Sequence, residues 1–184
     1  MCSIVMWPKS LRVMRSVTFI AAPGNHDTEG KDLGAHPDAF AYFYYWDQPL
    51  NGPGKKEGAP AFNDVHIPDN LRTAFMSGAG DRYPVMANFS FDQGNVHWLF
   101  LDANPYVDWT DAGMRDWVRR DLAASKATWK FVLFHHPGFS SSRAHFEQQQ
   151  MRTLAPIFDS TRVDLVFNGH VHNYQRSYPM AFVP

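Results

Sequence analysis

Residues 163–172 read VDLVFNGHVH, an apolar run that ends at a glycine and is followed by two histidines one residue apart. A short run of mostly branched apolar residues, here VDLVF at 163–167, is typical of a buried strand, and Gly169 indicates that the strand passes into a loop. Alternate residues of an extended backbone face the same side, so His170 and His172 are expected to face one metal ion or two adjacent ones. Taken alone, the motif also fits one metal-binding histidine beside one that only makes a hydrogen bond.

Two further apolar runs end in the same way. SVTFIAAP at 16–23 predicts a buried strand, and the loop GNHD at 24–27 follows it. KFVLF at 130–134 predicts another buried strand, and HHPGFSSSRAH at 135–145 follows that one. Strands of α/β sheets gather ligand-binding groups at their carboxyl ends. The three polar loops are therefore expected to converge at one edge of a sheet.

The segments between these runs predict a hairpin and two helices. Residues 85–103 give two apolar runs divided by a polar turn at 92–95. Thr110 is expected to cap one helix, and Pro156 is expected to end or bend the last turn of the other. Their apolar faces consist of Met114, Trp117, Val118 and Leu122, and of Met151, Leu154 and Phe158. This alternation of strands and helices predicts an α/β layered domain.

The length and composition predict one domain and exclude some partners. A chain of 184 residues with 45% hydrophobic residues fits a single domain, 1–184, within which 28–84 reads as a long loop-rich insertion. A net charge of -1 leaves no basic excess for nucleic acid, and no apolar run is long enough to span a membrane. The first residues do not have the pattern of a signal peptide. The single cysteine, Cys2, leaves the redox compartment open.

Most of the nine histidines cluster in the three predicted loops. The loop histidines are His26, His135, His136, His170 and His172, with His145 close behind. Neutral imidazole binds zinc, iron and similar metals, and an amide oxygen or a carboxylate can complete such a site. The alternative is that the histidine pair of HHP and the serines at 140–142 lie in a turn and have no functional role. A serine nucleophile is a further alternative, although no GxSxG motif is present.

Position within each loop predicts individual roles. His135 directly follows its strand and is expected to face inward as a ligand, whereas Pro137 turns the chain so that His136 points elsewhere. Asn25 can offer an oxygen ligand, and His26 a proton or a phosphate contact. A simple turn is the alternative for GNHD. The remaining histidines have no partner in these loops and are assigned to surface or core: His36, His66 and His97.

GNHD, VLFHHP and GHVHNYQRS in this order resemble the metallophosphoesterase (calcineurin-like) superfamily, specifically its purple acid phosphatase-like branch. The resemblance covers about residues 16–179. It implies hydrolysis of a small-molecule phosphoester at a centre of two metal ions, with iron, zinc or manganese as the candidates. It also implies a layered sandwich of two mixed sheets flanked by helices.

The resemblance further implies roles for six residues. Three match the ligands of one metal: Asn25, His135 and His170. His172 matches a ligand of the other metal. His26 matches the residue that contacts the phosphate and helps to protonate the leaving group, and His145 matches a second histidine near the phosphate. His136 occupies a variable position and receives no role.

The sequence departs from the family pattern before GNHD. The family has an upstream Asp-x-His motif and a Gly-Asp-x-x-Tyr motif, whose Asp bridges the two metals, but residues 1–23 contain no Asp, Glu or Tyr. We therefore expect a domain truncated at its amino end that lacks the first strands. Two cations repel without a bridging anion, so one metal is expected more than two.

Two functions remain open on this reading. The first is a phosphoesterase that uses metal-activated water and is impaired by the missing ligands. The second is a noncatalytic remnant that binds one metal or none. Relatives of this branch are often secreted or periplasmic, whereas the location and oligomeric state of this chain stay open.

Overall fold

The computed structural model describes residues 16–28, 41–54, 80–82, 85–105 and 107–182, together with residues 70, 73 and 77. Its helices are α1 (Asn25–Thr28), α2 (Ala41–Tyr45), α3 (Ala112–Ala124) and α4 (Ala155–Ser160). Its strands are β1 (Phe89–Gln93), β2 (Val96–Leu101), β3 (Trp129–Phe134) and β4 (Leu165–Phe167). Short 3-10 helices span Gly80–Arg82, Val85–Ala87 and Gln150–Leu154.

The strands form one mixed sheet in the order β1-β2-β3-β4. β1 and β2 are the predicted antiparallel hairpin, with Gly94 at a φ of +62° in the turn. β3 runs parallel to β2, and β4 runs parallel to β3. Each parallel connection contains a helix, which is the usual crossover in such sheets. The α/β class is confirmed, and the described residues form part of the predicted sandwich.

One face of the sheet carries the hydrophobic core. Alternate residues of β2 and β3, such as Leu99 and Val132, point to this face and are fully buried. The predicted helical stripe of α3 packs against them, with Met114, Val118 and Leu122 buried. Burial of apolar side chains at roughly 25 cal/mol per Å² is the main source of stability for such a layer.

The opposite face of the sheet is aromatic and partly exposed. Trp98 contacts Phe131 and Phe167, with ring centroids 5.1 and 6.2 Å away. β4 lies at the edge of the sheet, and Leu165 and Phe167 remain 49% and 41% exposed. The strand predicted within 163–167 is therefore present, but the prediction that it is buried is wrong, because the described residues leave its outer edge uncovered.

Residues 16–23 do not form the predicted buried strand. They have no regular secondary structure after Ser16, and Val17 and Phe19 are 55% and 46% exposed. An apolar run becomes a strand only where a neighbouring strand satisfies its backbone groups, and no described strand pairs with this segment. The prediction failed because β-branched composition does not supply a partner.

The two predicted helices are present with different boundaries. Asp111, not Thr110, caps α3, because its side chain accepts a 2.8 Å hydrogen bond from the Met114 amide while Thr110 is bound to Asp108. Pro156 lies in the first turn of α4 instead of ending a helix. A proline fits there because the first turn leaves its backbone amides unpaired in any case.

A polar network lies between the sheet and α3. His97 is buried, and its two ring nitrogens lie 2.6 Å from Asp92 Oδ1 and 2.9 Å from Asp121 Oδ2. Ser90 donates a 2.6 Å hydrogen bond to the other oxygen of Asp121. Burial opposes the charged form of His97, but the hydrogen bonds and charges of the two carboxylates outweigh it and raise the pKa of the imidazole. Of the two positions that the sequence left open for His97, surface or core, the structure shows the core, where His97 links β1, β2 and α3.

The single domain and the 28–84 insertion remain predictions, since much of 28–84 lies outside the described residues. Within it, Tyr42 and Phe43 of α2 are buried, and the Tyr42 hydroxyl lies 3.0 Å from the Ala21 carbonyl. His36 and His66 also lie outside the described residues. Among the described helices, none is both long enough and apolar enough to cross a membrane.

Candidate metal centre

Two hydrogen bonds to backbone carbonyls join the loops that follow β3 and β4. The Gly169 amide donates a 3.0 Å hydrogen bond to the His135 carbonyl, and Asn168 Nδ2 donates to the Phe134 carbonyl at 3.1 Å. Gly24 and Gly169 flank the His135 ring so closely that a Cβ at either position would lie 3.2 Å from His135 Nδ1. Because glycine has no Cβ, both positions leave room for the His135 imidazole.

The GNHD segment is fixed against the same edge. Asp27 accepts a 2.9 Å hydrogen bond from the Gly24 amide through Oδ2, which closes the first turn of α1. Asn104, buried just beyond β2, donates to the Gly24 carbonyl at 3.3 Å. Asn25 is thereby anchored to the ends of the central strands, although the strand predicted before it is absent.

Three predicted ligand atoms meet at this edge. Asn25 Oδ1 lies 2.9 Å from His135 Nε2, and His170 Nδ1 lies 3.2 Å from the same nitrogen. Two ligands about 2.0–2.1 Å from one cation are roughly 2.9 Å apart at a right angle and about 3.4 Å apart at a tetrahedral angle. The donor atoms and their spacing fit one metal ion, and the prediction that these loops converge agrees with this geometry.

Burial keeps His135 neutral. Desolvation, followed by the charges of His170, His26 and His172, lowers the pKa of His135 to about 4. A neutral imidazole has a nitrogen lone pair to donate, whereas the protonated ring does not. His135 is therefore in the chemical form that binds a metal across most of the acidic range.

His170 is the most constrained residue of the group. It is 7% exposed and has a φ of +65°, a left-handed conformation that non-glycine residues seldom adopt. Its ring contacts those of His136 and His145, with centroids 4.3 and 4.2 Å away. Its Nε2 lies 2.6 Å from Gln148 Oε1. Backbone strain of this kind is concentrated at functional sites.

His136 does not point away from the site, contrary to the prediction. It is only 1% exposed, and its ring centroid lies 5.1 Å from that of His135. The turn expected at Pro137 does not carry His136 out of the site, because β3 already ends at Phe134. The His136 ring instead packs against those of His135 and His170. Burial, then the neighbouring histidines, lowers the pKa of His136 to about 3 and keeps it neutral.

His26 and His172 lie at the exposed side of the group. Both side chains are exposed, and a positive charge on either one acts on His135. His172 has a φ of +55°, so neither histidine of NGHVH is in extended backbone. The prediction that His170 and His172 share one side through strand geometry is wrong, because β4 ends at Phe167. His170 turns inward and His172 outward.

Carboxylates do not complete the site within the described residues. No group of three or more His, Cys, Asp or Glu side chains there is arranged around a metal position. The fully buried Asp102 accepts hydrogen bonds from the Asn104 amide and side chain at 3.0 and 2.8 Å. The group that fits a cation thus consists of two imidazoles and one amide oxygen.

Sequence reasoning missed Gln148 and Asn104, which hold the predicted ligands in place. Both are common polar residues with no motif of their own, so nothing in the sequence distinguishes them from their neighbours. Asn104 follows the end of β2, and that position could have suggested it. The serines at 140–142 are not paired with histidine, since Ser140 and Ser141 hydrogen-bond to Gln175.

A family model described as calcineurin-like phosphoesterase matches residues 4–174 of the chain. The chain belongs to this family. Purple acid phosphatase 18 of Arabidopsis thaliana is 33% identical over 135 residues, which cover 68% of this chain and 30% of that protein. Probable inactive purple acid phosphatase 9 of the same plant is 25% identical over 174 residues, covering 89% of this chain and 25% of that protein.

The resemblance to the purple acid phosphatase-like branch of the metallophosphoesterases is confirmed. The alignments with the curated relatives cover between 18% and 33% of the lengths of those proteins. Purple acid phosphatase PPD1 from yellow lupin (Lupinus luteus) seeds aligns with a TM-score of 0.44 and 19% identity, over 66% of this chain and 24% of that one. The family is thus one of phosphoesterases, and its relatives are phosphatases by name.

Proposed function

We propose that this chain carries the metal-binding half of a phosphoesterase site and hydrolyses small-molecule phosphate esters with a bound divalent or trivalent metal ion. One observation carries the proposal. Asn25 Oδ1 and His170 Nδ1 lie 2.9 and 3.2 Å from His135 Nε2, at the carboxyl edge of the sheet. These three side chains are the proposed ligands of one metal ion, which is iron, zinc or manganese.

Other residues of the chain are proposed to bind the phosphate and to transfer the proton during hydrolysis. The three proposed ligands would hold the cation, which would supply Lewis-acid chemistry and a water of lowered pKa for attack on phosphorus. The exposed His26 and His145 face solvent beside the ligands. His26 delivers a proton to the departing alkoxide, and His145 contacts the phosphate oxygens. His172 is the residue available to a second metal.

The decisive experiment combines metal analysis with turnover. The purified chain is loaded with zinc, iron or manganese, its metal content is measured by mass spectrometry, and hydrolysis of p-nitrophenyl phosphate is followed. We expect about one metal per chain and measurable turnover, both lost in His135→Ala and His170→Ala. His97→Gln, which lies in the separate polar network, serves as the folded control. Absence of bound metal in the wild-type chain would contradict the proposal.

A noncatalytic, metal-binding module is the second candidate function. Two observations favour it: no carboxylate completes the site in the described residues, and one matching relative is called a probable inactive phosphatase. On this reading the wild-type chain binds a metal but does not hydrolyse p-nitrophenyl phosphate. Metal binding without turnover at any of the three metals would therefore favour this candidate over the first.

A further inference from the structure

We propose that Gln148 is a positioning residue that fixes the tautomer of His170 and so determines which of its nitrogens is available to a metal. The inference rests on the proposed function, because it concerns the same site. Gln148 belongs to none of the family motifs in the sequence. Its role follows from one contact, the 2.6 Å separation between Gln148 Oε1 and His170 Nε2.

The contact has a direct consequence for proton placement. An amide oxygen only accepts hydrogen bonds, so a 2.6 Å contact to it requires a hydrogen on His170 Nε2. A neutral imidazole carries one N–H, so the lone pair then lies on Nδ1. Nδ1 is the nitrogen that lies 3.2 Å from His135 Nε2. The amide thus turns the basic side of His170 toward the other proposed ligands.

The ring contacts of His170 do not by themselves select one of its two nitrogens. The rings of His136 and His145 pack against it, with centroids 4.3 and 4.2 Å away, and so help to fix its plane. The left-handed backbone conformation of His170 sets the direction in which its side chain leaves the main chain. In metal sites, the nitrogen opposite the metal usually donates to a carboxylate, a carbonyl or water, and loss of that partner lowers affinity about 10- to 100-fold.

Gln149 provides a matched control. It is the same residue type at the next position, it is also partly buried, and its side chain hydrogen-bonds to the Phe146 carbonyl and to Arg152. Gln148→Leu and Gln149→Leu therefore remove the same amide at nearly the same depth. Only the first removes the acceptor for His170. Gln148→Glu keeps an acceptor of nearly the same length and serves as the rescue variant.

The first measurement is zinc affinity of the 184-residue chain by competition with a chelator, at about pH 8, where free imidazole is neutral. We expect Gln148→Leu to weaken zinc binding about 10- to 100-fold. Gln149→Leu and Gln148→Glu are expected to bind zinc at least as tightly as the wild type. Equal affinity in Gln148→Leu and the wild type would overturn the inference, as would an equal loss in Gln149→Leu.

The second measurement reads the tautomer without metal. Nitrogen-15 NMR of the metal-free chain distinguishes a protonated Nε2 from a protonated Nδ1 at His170. We expect the proton on Nε2 in the wild type and a mixture of tautomers in Gln148→Leu. A proton on Nδ1 in the wild type would overturn the inference. If the wild type binds no metal, the proposed function fails, while this spectrum still shows whether Gln148 sets the tautomer.

Discussion

His97 and the histidines His135 and His136 of the metal centre form two groups that are both at least partly shielded from solvent, but their neighbours have opposite effects on the imidazole pKa. His97 lies between two carboxylates, Asp92 and Asp121, which raise its pKa. His135 and His136 lie against other imidazoles, and burial together with those neighbours lowers their pKa values to about 4 and about 3. The same side chain is therefore shifted toward the protonated form, where it joins secondary structure elements, in one place, and toward the neutral form, with a lone pair to donate, in the other.

The difference shows how the neighbours of a buried histidine determine its role. Carboxylate partners use both nitrogens of His97, so none is left for a ligand. In the second group, Asn25 and Gln148 offer amide oxygens, which are neutral and do not favour a second proton on the rings. A cluster of imidazoles with converging nitrogens is suited to a metal ion, whereas an imidazole paired with two carboxylates is suited to structure.

The largest expected effect is the loss of metal binding when a ligand histidine is removed. His170→Ala should weaken zinc binding by more than about 100-fold, because losing a ligand costs more than losing a residue that supports one. His97→Gln should leave zinc affinity unchanged, since its ring is not in the metal centre. Calorimetric titration of both variants checks the prediction. Comparable zinc affinity in His170→Ala and the wild type would remove the distinction between the two groups.

The converse experiment concerns stability. His97→Leu leaves two carboxylates without their partner, one of them mostly buried, and should lower the free energy of unfolding by about 1–3 kcal/mol. His172→Leu, at an exposed position, should change it by less than about 0.5 kcal/mol. Urea denaturation followed by fluorescence measures both. A His97→Leu protein as stable as the wild type would show that the network has no structural role.

A carboxylate introduced beside His135 should give this histidine an electrostatic environment like that of His97. In the metal-free chain, Asn25→Asp puts a negative charge where Oδ1 now lies 2.9 Å from His135 Nε2. The pKa of His135 should rise from about 4 toward its ordinary value of 6.5, because an opposite charge favours the protonated ring. NMR titration measures this, and Asn25→Ala, which adds no charge, should leave the pKa low.

The smallest expected effect is the pH dependence that His97 gives to stability. Its folded-state pKa lies above the ordinary 6.5, so its contribution is complete below pH 6.5 and is lost as the pH rises through the folded-state value. The stability margin of the wild type over His97→Gln should therefore shrink as the medium becomes alkaline. Urea titrations of both proteins across this range test the sign, and a margin that grows with pH would contradict it.

Periodicity and turn residues were sufficient to predict the local elements. The hairpin of β1 and β2, strand β3 and the buried stripe of α3 follow from spacings of two and of three to four residues. The family motifs in turn led to the family, which the comparisons confirm, whereas the ligand roles stay a prediction. The local elements and the motifs could be predicted because each depends on residues that are close together in the chain.

Tertiary structure alone decided which side chains meet. Asn25 and His135 are 110 positions apart, and their contact depends on how β3 pairs within the sheet and on the anchoring of Gly24 by Asn104. The same pairing placed β4 at an exposed edge, and none of the described strands pairs with 16–23. The sequence by itself determined which residues can donate to a metal. Strand pairing determined which donors converge, because long-range contacts depend on the whole sheet.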